Sequence, residues 1–93
     1  MTGVYLIHFS EPYRHAKHYI GWSQKIAARF QHHQNGTGAN LCAVAVARGI
    51  GLEIVRIWEG KGRDWERKVK NYKKTKLLCP VCNKEHALEL MKG

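Results

Sequence analysis

Short apolar segments, separated by polar or glycine-containing turns, constrain the fold of this 93-residue chain more than any other feature. The first, from Gly3 to Phe9, is rich in β-branched and aromatic residues and predicts a strand. A second strand is predicted from His18 to Gly21, after a polar hairpin loop over Ser10–Lys17. A third apolar segment, 52–58, is nearly continuous and predicts a central strand.

Two helices are predicted between the second and third strands. Ser23 is placed to cap the first of them, which ends near Gln34 before an Asn-Gly turn. Asn40 is placed to cap the second, over 41–48. Residues in that segment are apolar on almost every side, so the second helix is predicted to be buried.

A third helix is predicted from about Arg63, with Trp65, Val69 and Tyr72 on its core side. The order strand, strand, helix, helix, strand, helix predicts an α/β protein of the α+β type, with a small three-stranded antiparallel sheet flanked by helices. The chain length predicts one domain over 1–93, with its core at about 3–82 and a short helical tail over 83–93.

Positive charge is the feature of the composition that bears most on function. Sixteen Lys and Arg face seven Asp and Glu, which gives a formal net charge of +9. Such a surplus attracts polyanions, so nucleic acid is the predicted partner, and a basic protein without a partner is the alternative. Four lysines are predicted to contact phosphate: Lys25, Lys70, Lys73 and Lys74.

The cysteines and the absence of a recognisable targeting segment predict the compartment. The sequence shows no secretory signal and no stretch of transmembrane length. Three cysteines with one close pair do not resemble a disulfide framework. These observations predict a cytoplasmic protein that does not bind membranes, and they leave open a monomer, a dimer or a complex with a partner protein.

Polar residues at the ends of the predicted elements follow a recognisable pattern. Gly3-Val4-Tyr5 opens the first strand, and Tyr19-Ile20-Gly21 closes the second. Arg29 follows Tyr19 by ten residues on the next helix, and His33 lies one helical turn further on. Glu66 lies on the helix after the third strand.

This pattern resembles the GIY-YIG nuclease family over about residues 3–82, and the chain looks most like the small, stand-alone members. The resemblance implies a GIY-YIG endonuclease-like fold and a hydrolase that cuts DNA phosphodiester bonds with one Mg²⁺ or Mn²⁺. It implies five catalytic residues, of which the last is the metal ligand: Tyr5, Tyr19, Arg29, His33 and Glu66.

The chain departs from the family pattern at two positions. Trp22 stands where some members carry a lysine, and Lys25 is the nearest substitute. Many members also carry an asparagine well past the glutamate, and Asn83 is the nearest match to it here.

The chemistry of the five residues suits phosphodiester hydrolysis. Arg29 can grip a phosphate with a planar fork of donors, and Glu66 offers the hard oxygen that Mg²⁺ prefers. Tyr5 or His33 can take a proton from water, and the sequence leaves open which of them does so. Tyr19 can donate a hydrogen bond to the phosphate or orient it.

Each of these assignments has an alternative. Tyr5 and Tyr19 can instead be ordinary strand aromatics, and Arg29 can be a solvated helix residue. Glu66 can instead pair with Lys70, four residues further along the helix. A basic nucleic-acid-binding module with the same fold and little cleavage activity is the alternative function.

Cys79-Pro80-Val81-Cys82 has the spacing of a zinc knuckle, and His86 follows four residues later. A structural zinc needs four ligands, so Cys42 or another histidine would have to complete the set. Cys42 lies on a helix predicted to be buried, and His8 and His18 are interpreted as surface or hairpin residues. Two thiols in a turn without a metal are therefore preferred, and a zinc-stabilised interaction domain is a third alternative.

Overall fold

The computed structural model describes residues 1–72, 75 and 78–82. Lys73, Lys74, Asn83, His86 and the predicted tail over 83–93 lie outside the described residues. The elements, in chain order, are β1 (Gly3–Tyr13), β2 (Ala16–Ser23), α1 (Ile26–Gln34), α2 (Asn40–Ala47), β3 (Leu52–Glu59) and α3 (Arg63–Lys70). The three strands form an antiparallel sheet in the order β2-β1-β3. The predicted α+β class, with a small three-stranded antiparallel sheet and three helices, is confirmed.

The central strand is β1 and not, as predicted, the strand over 52–58. Every residue of β1 from Gly3 to Phe9 is buried, because both faces of the strand are covered. No residue of β3 is fully buried, and Glu53, Ile57 and Glu59 are exposed. The mostly apolar segment of β3 also contains charged side chains. At the edge of the sheet these charged side chains remain close to water.

The hairpin between β1 and β2 is longer than predicted. Most of the segment 10–17, predicted to be a loop, extends the two strands, and the turn itself is formed by Arg14 and His15. The antiparallel register places Tyr5 opposite Gly21 and His8 opposite His18. This register decides which side chains of the two strands can meet.

Neither of the two predicted caps is present. Ser23 Oγ accepts a hydrogen bond from the backbone N–H of Lys25 at 3.0 Å, so Ser23 closes the turn that precedes α1. Asn40 is the first residue of α2 and does not cap it. In α2 only Cys42 and Ala45 are buried, so the helix is less enclosed than predicted. The helices in the described part of the chain are too short or too polar to span a bilayer.

The sheet has a hydrophobic core on each face, because successive side chains of a strand point to opposite sides. On one face, Tyr5 packs with Ile26 of α1 and Cys42 of α2, and we call this the Tyr5 face. On the other, Val4, Leu6, Ile20 and Val69 pack around Cys79, and we call this the Cys79 face. Tyr72, predicted on the core side of the third helix, lies past the end of α3 and is 44% exposed.

Candidate functional site

Tyr5 and His33 form a buried pair on the Tyr5 face. Tyr5 Oη lies 2.8 Å from His33 Nε2, and both side chains are fully buried. The backbone N–H of Ala39 donates to His33 Nδ1 at 3.4 Å, which assigns the imidazole proton to Nε2. His33 therefore donates its proton toward the Tyr5 hydroxyl.

Burial, reinforced by the positive charge of Arg29, lowers the pKa of His33 to about 4. The imidazole is therefore neutral at physiological pH. Burial also raises the pKa of Tyr5 to about 12, with a further contribution from Tyr19, although Arg29 opposes this rise.

Two glycines leave room for the buried pair. A Cβ atom at Gly21 would stand 2.5 Å from Tyr5 Oη, because Gly21 lies opposite Tyr5 in the strand pair. A Cβ atom at Gly38 would collide with the His33 ring. The glycine of the second sequence motif therefore has a steric reason to be there: the phenol of Tyr5 occupies the space above it.

Tyr19 lies beside this pair and is half-buried. Its ring packs edge-on against His33 with centroids 5.1 Å apart, and its centroid is 6.3 Å from that of Tyr5. Burial raises the pKa of Tyr19, as do Cys42 and Glu66, and Arg29 lowers it.

The carboxylate of Glu66 interacts with one basic side chain and with one phenol. Its oxygen lies 3.6 Å from Lys70 Nζ, so the i,i+4 pair considered as the alternative for Glu66 is present. Its negative charge also acts on Tyr19. Each of the five predicted residues thus contacts, or acts electrostatically on, at least one of the others.

Solvent exposure divides the five residues into two groups. Tyr5 and His33 have no exposed surface, so neither of the two predicted proton acceptors reaches a water molecule in this structure. Arg29 is exposed, and Tyr19 and Glu66 are partly exposed. Of the groups among the five residues that can accept a proton, those of Tyr19 and Glu66 are the ones with solvent-exposed surface, and the choice between Tyr5 and His33 stays a prediction.

An open groove of about 530 Å³ borders Arg29. Its lining contains three basic and no acidic side chains, and we call it the basic groove. The lining residues are Trp22, Ser23, Gln24, Lys25, Arg29 and Arg63. Arg63 stacks over the Trp22 ring at 4.9 Å. Lys25 was predicted to contact phosphate. Arg63 was not, because only tertiary packing brings the start of α3 beside the end of β2.

A second set of polar side chains meets on the Cys79 face, and we call it the His/Cys cluster: His8, His18, Cys79 and Cys82. The ligand atoms of these four residues all lie within 4.8 Å of one another, an arrangement that could hold a metal ion. Burial lowers the pKa of both histidines, that of His18 to about 4, and the positive charge of Lys17 adds to this in each case.

The histidines of this cluster are not among the zinc ligands predicted by number from the sequence. His8 was interpreted as a surface or hairpin residue, but it is buried. The available sign was the period of two along β1, which puts His8 on the same side as Val4 and Leu6. Cys42, considered as a completing ligand, packs on the Tyr5 face and cannot reach Cys79.

Searches with protein-family models, among curated proteins and among solved structures found no match to this chain. The resemblance to GIY-YIG nucleases therefore rests on the motif residues themselves.

Proposed function

We propose that this protein is a metal-dependent endonuclease that hydrolyses DNA phosphodiester bonds at the surface formed by Tyr19, Arg29 and Glu66. The observation that supports this most is the convergence of polar residues from four elements, β1, β2, α1 and α3, beside a groove lined by basic side chains. An acid, a guanidinium and a partly exposed phenol beside a basic groove are groups that phosphodiester hydrolysis can use.

In this proposal Glu66 holds one Mg²⁺ or Mn²⁺. The donor is a single hard, partly exposed carboxylate, which suits an ion that keeps several waters and takes further oxygens from a bound phosphate. When bound there, such an ion supplies charge neutralisation and lowers the pKa of groups beside it. The basic groove would bring the phosphate oxygens that a lone carboxylate cannot provide.

The protein's own side chains have distinct parts in the reaction. Arg29 binds the scissile phosphate and stabilises the charge that develops on it. Tyr19, the partly exposed phenol that both Arg29 and Glu66 act on, would accept the proton of the attacking water as its phenolate, after its own proton has passed to solvent. The positive charge of Arg29 and an ion held at Glu66 would favour that ionised form. The buried Tyr5–His33 hydrogen bond holds in place the two rings against which Tyr19 packs.

DNA is the proposed partner, bound through the basic groove, and the proposed compartment is the cytoplasm. The second candidate is a basic nucleic-acid-binding module with little cleavage activity. The pairing of Glu66 with Lys70 favours that candidate, since it gives the carboxylate a structural role. Binding without metal-dependent cleavage would separate it from the nuclease.

The test is Glu66→Ala in a plasmid-nicking assay with Mg²⁺ or Mn²⁺. We expect loss of metal-dependent nicking with DNA affinity kept or increased, because the substitution removes a negative charge beside a basic surface. Loss of the Lys70 pair alone would cost only about 0.2–0.5 kcal/mol of stability.

The matched control is Asp64→Ala, which removes an exposed carboxylate from the same helix. It should nick like the wild type. If Glu66→Ala nicks at the wild-type rate, Glu66 has no part in the reaction and the binding-module alternative gains the support that the nuclease loses.

A further inference from the structure

We propose that His8, His18, Cys79 and Cys82 bind one Zn²⁺ as a structural ion that fastens the turn after α3 to the β1–β2 hairpin. The proposal does not rest on the proposed nuclease function, because none of its four residues belongs to the proposed nuclease site, although α3, which carries Glu66, packs on the same face of the sheet. It concerns a ligand set drawn from β1, β2 and the Cys-Pro-Val-Cys turn, which only the folded chain brings together.

Four of the six distances between the donor atoms can be compared with those of a tetrahedral zinc site. Bonds of about 2.0–2.1 Å from zinc to nitrogen and about 2.3 Å to sulfur give a tetrahedron with edges of about 3.3–3.4 Å between nitrogens and about 3.5–3.6 Å between nitrogen and sulfur. His8 Nδ1 lies 3.4 Å from His18 Nε2. The Sγ atoms of Cys79 and Cys82 lie 3.4 and 3.6 Å from His8 Nδ1, and Cys82 Sγ lies 3.5 Å from His18 Nε2. These separations match the edges of a zinc tetrahedron.

Hydrogen bonding does not account for the cluster. An imidazole nitrogen carries either one proton or one lone pair, so it makes one strong hydrogen bond. Three groups nevertheless converge on His8 Nδ1: the second imidazole and both thiols. Donor atoms that crowd around a shared centre, rather than pairing with one another, are typical of ligands to a metal.

The chemistry of the four side chains favours zinc over other ions. Two imidazoles and two thiolates are the ligands of a closed, four-coordinate zinc site, and sulfur donors disfavour Mg²⁺ and Ca²⁺. Two thiolates also balance the charge of a divalent ion, which matters in a protein with a formal net charge of +9. All four tetrahedral positions are filled by protein atoms, so the ion is structural and has no open position for a substrate.

Such an ion would join parts of the chain that are far apart in sequence. His8 and His18 lie on paired strands, whereas Cys79 and Cys82 follow α3. Cys79 is fully buried in the same core cluster as Val69 of α3. The ion therefore closes the Cys79 face over a small hydrophobic core, and the metal-free protein should be much less stable.

The experiment measures zinc in the purified full-length chain after challenge with a fixed concentration of chelator. We expect one zinc per chain in the wild type, and reconstitution with Co²⁺ should give the visible absorption of a tetrahedral site together with thiolate-to-cobalt charge transfer. Removal of zinc by a stronger chelator should lower the Tm by at least about 10 °C.

Substitutions identify the ligands. His8→Asn, His18→Asn and Cys82→Ser should each lower zinc affinity by tenfold or more and shift the cobalt spectrum. Matched controls are His15→Asn, an exposed histidine in the hairpin turn, and Cys42→Ala, a buried thiol on the Tyr5 face. Both controls should keep one zinc.

The proposal fails if the wild type binds neither zinc nor cobalt, or if chelation leaves its Tm unchanged. It also fails if the histidine variants keep full zinc affinity, because the ion would then be held by a different ligand set. Because the wild-type zinc content, cobalt spectrum and chelator response need no variant, the test holds even if one substitution prevents folding.

Discussion

The two faces of the sheet carry polar groups of different kinds, although they draw on the same two strands. His18 and Tyr19 are neighbours in the chain, yet His18 joins the His/Cys cluster and Tyr19 lies beside the Tyr5–His33 pair. Tyr5 and His8, both on β1, are divided in the same way. Because side chains alternate along a strand, one hairpin can supply two sites that do not share a residue.

The two faces differ in whether their polar groups cluster tightly together or border an open groove. On the Cys79 face, the ligand atoms of four side chains all lie within 4.8 Å of one another. On the Tyr5 face, Arg29 is exposed and lines an open groove beside α3. A closed set suits a structural ion, and an open set suits a substrate.

The substitution with the largest expected effect is Tyr19→Phe, which should change the Tyr5 face and leave the Cys79 face unchanged. If Tyr19 takes the proton of the attacking water, removal of its hydroxyl should reduce Mg²⁺-dependent nicking by about 10²–10⁴-fold. Tyr5→Phe removes one buried hydrogen bond, worth about 1 kcal/mol of folding stability, and should reduce nicking by less than about tenfold because the Tyr5 hydroxyl does not reach the surface. Neither substitution should change the zinc content.

The measurement is the single-turnover nicking rate of both variants at matched protein and metal concentrations, with zinc content as the readout for the opposite face. A larger loss in Tyr5→Phe than in Tyr19→Phe would reverse the assignment of the proton acceptor. Loss of zinc in either variant would show that the two faces are not independent.

A second, smaller effect concerns the pH dependence of stability on the Tyr5 face. The pKa of His33 falls from about 6.5 to about 4 on folding, because the ring is buried and Arg29 and His32 lie near it. The neutral ring is therefore favoured in the folded state, so its contribution is complete above about pH 6.5 and is lost as the pH falls toward 4. The loss is up to about 3 kcal/mol, at 1.36 kcal/mol for each pKa unit.

Urea unfolding of wild type and His33→Gln between pH 7 and pH 4 measures this contribution as the difference between the two curves. His15→Gln is the matched control, because His15 is an exposed histidine of the hairpin turn and is not among the groups that shift the pKa of His33. Its curve should follow that of the wild type. Parallel curves for wild type and His33→Gln would mean that His33 does not carry the acid sensitivity of this face.

The smallest expected effect lies at the basic groove, where α1 from the Tyr5 face and α3 from the Cys79 face meet. If Arg63 contacts a phosphate, Arg63→Gln should reduce the slope of log affinity for duplex DNA against log salt by about 0.9. Arg48→Gln removes the same charge from the exposed end of α2, away from this groove, and should leave the slope unchanged. Equal slopes for wild type and Arg63→Gln would remove Arg63 from the DNA-binding surface.

The sequence by itself determined the order of strands and helices, the positive charge and the motif residues. The helix over 63–70 and the strand at Gly3 follow from periods of a few residues, which a short window of sequence contains. The same short-range patterns placed Tyr5, Tyr19 and Arg29 on adjacent elements, and they made the Cys79–Cys82 pair conspicuous.

Only the tertiary structure decided which strand is central, which phenol reaches the surface and which histidines meet the cysteines. Each of these depends on register, on the face that a side chain takes and on packing between distant segments. His8 and Cys79 are 71 residues apart in the chain, yet His8 Nδ1 and Cys79 Sγ lie 3.4 Å apart in the fold. No local pattern encodes such a distance, because it is set by the pairing of β1 with β2 and by the return of the chain, after α3, to the Cys79 face.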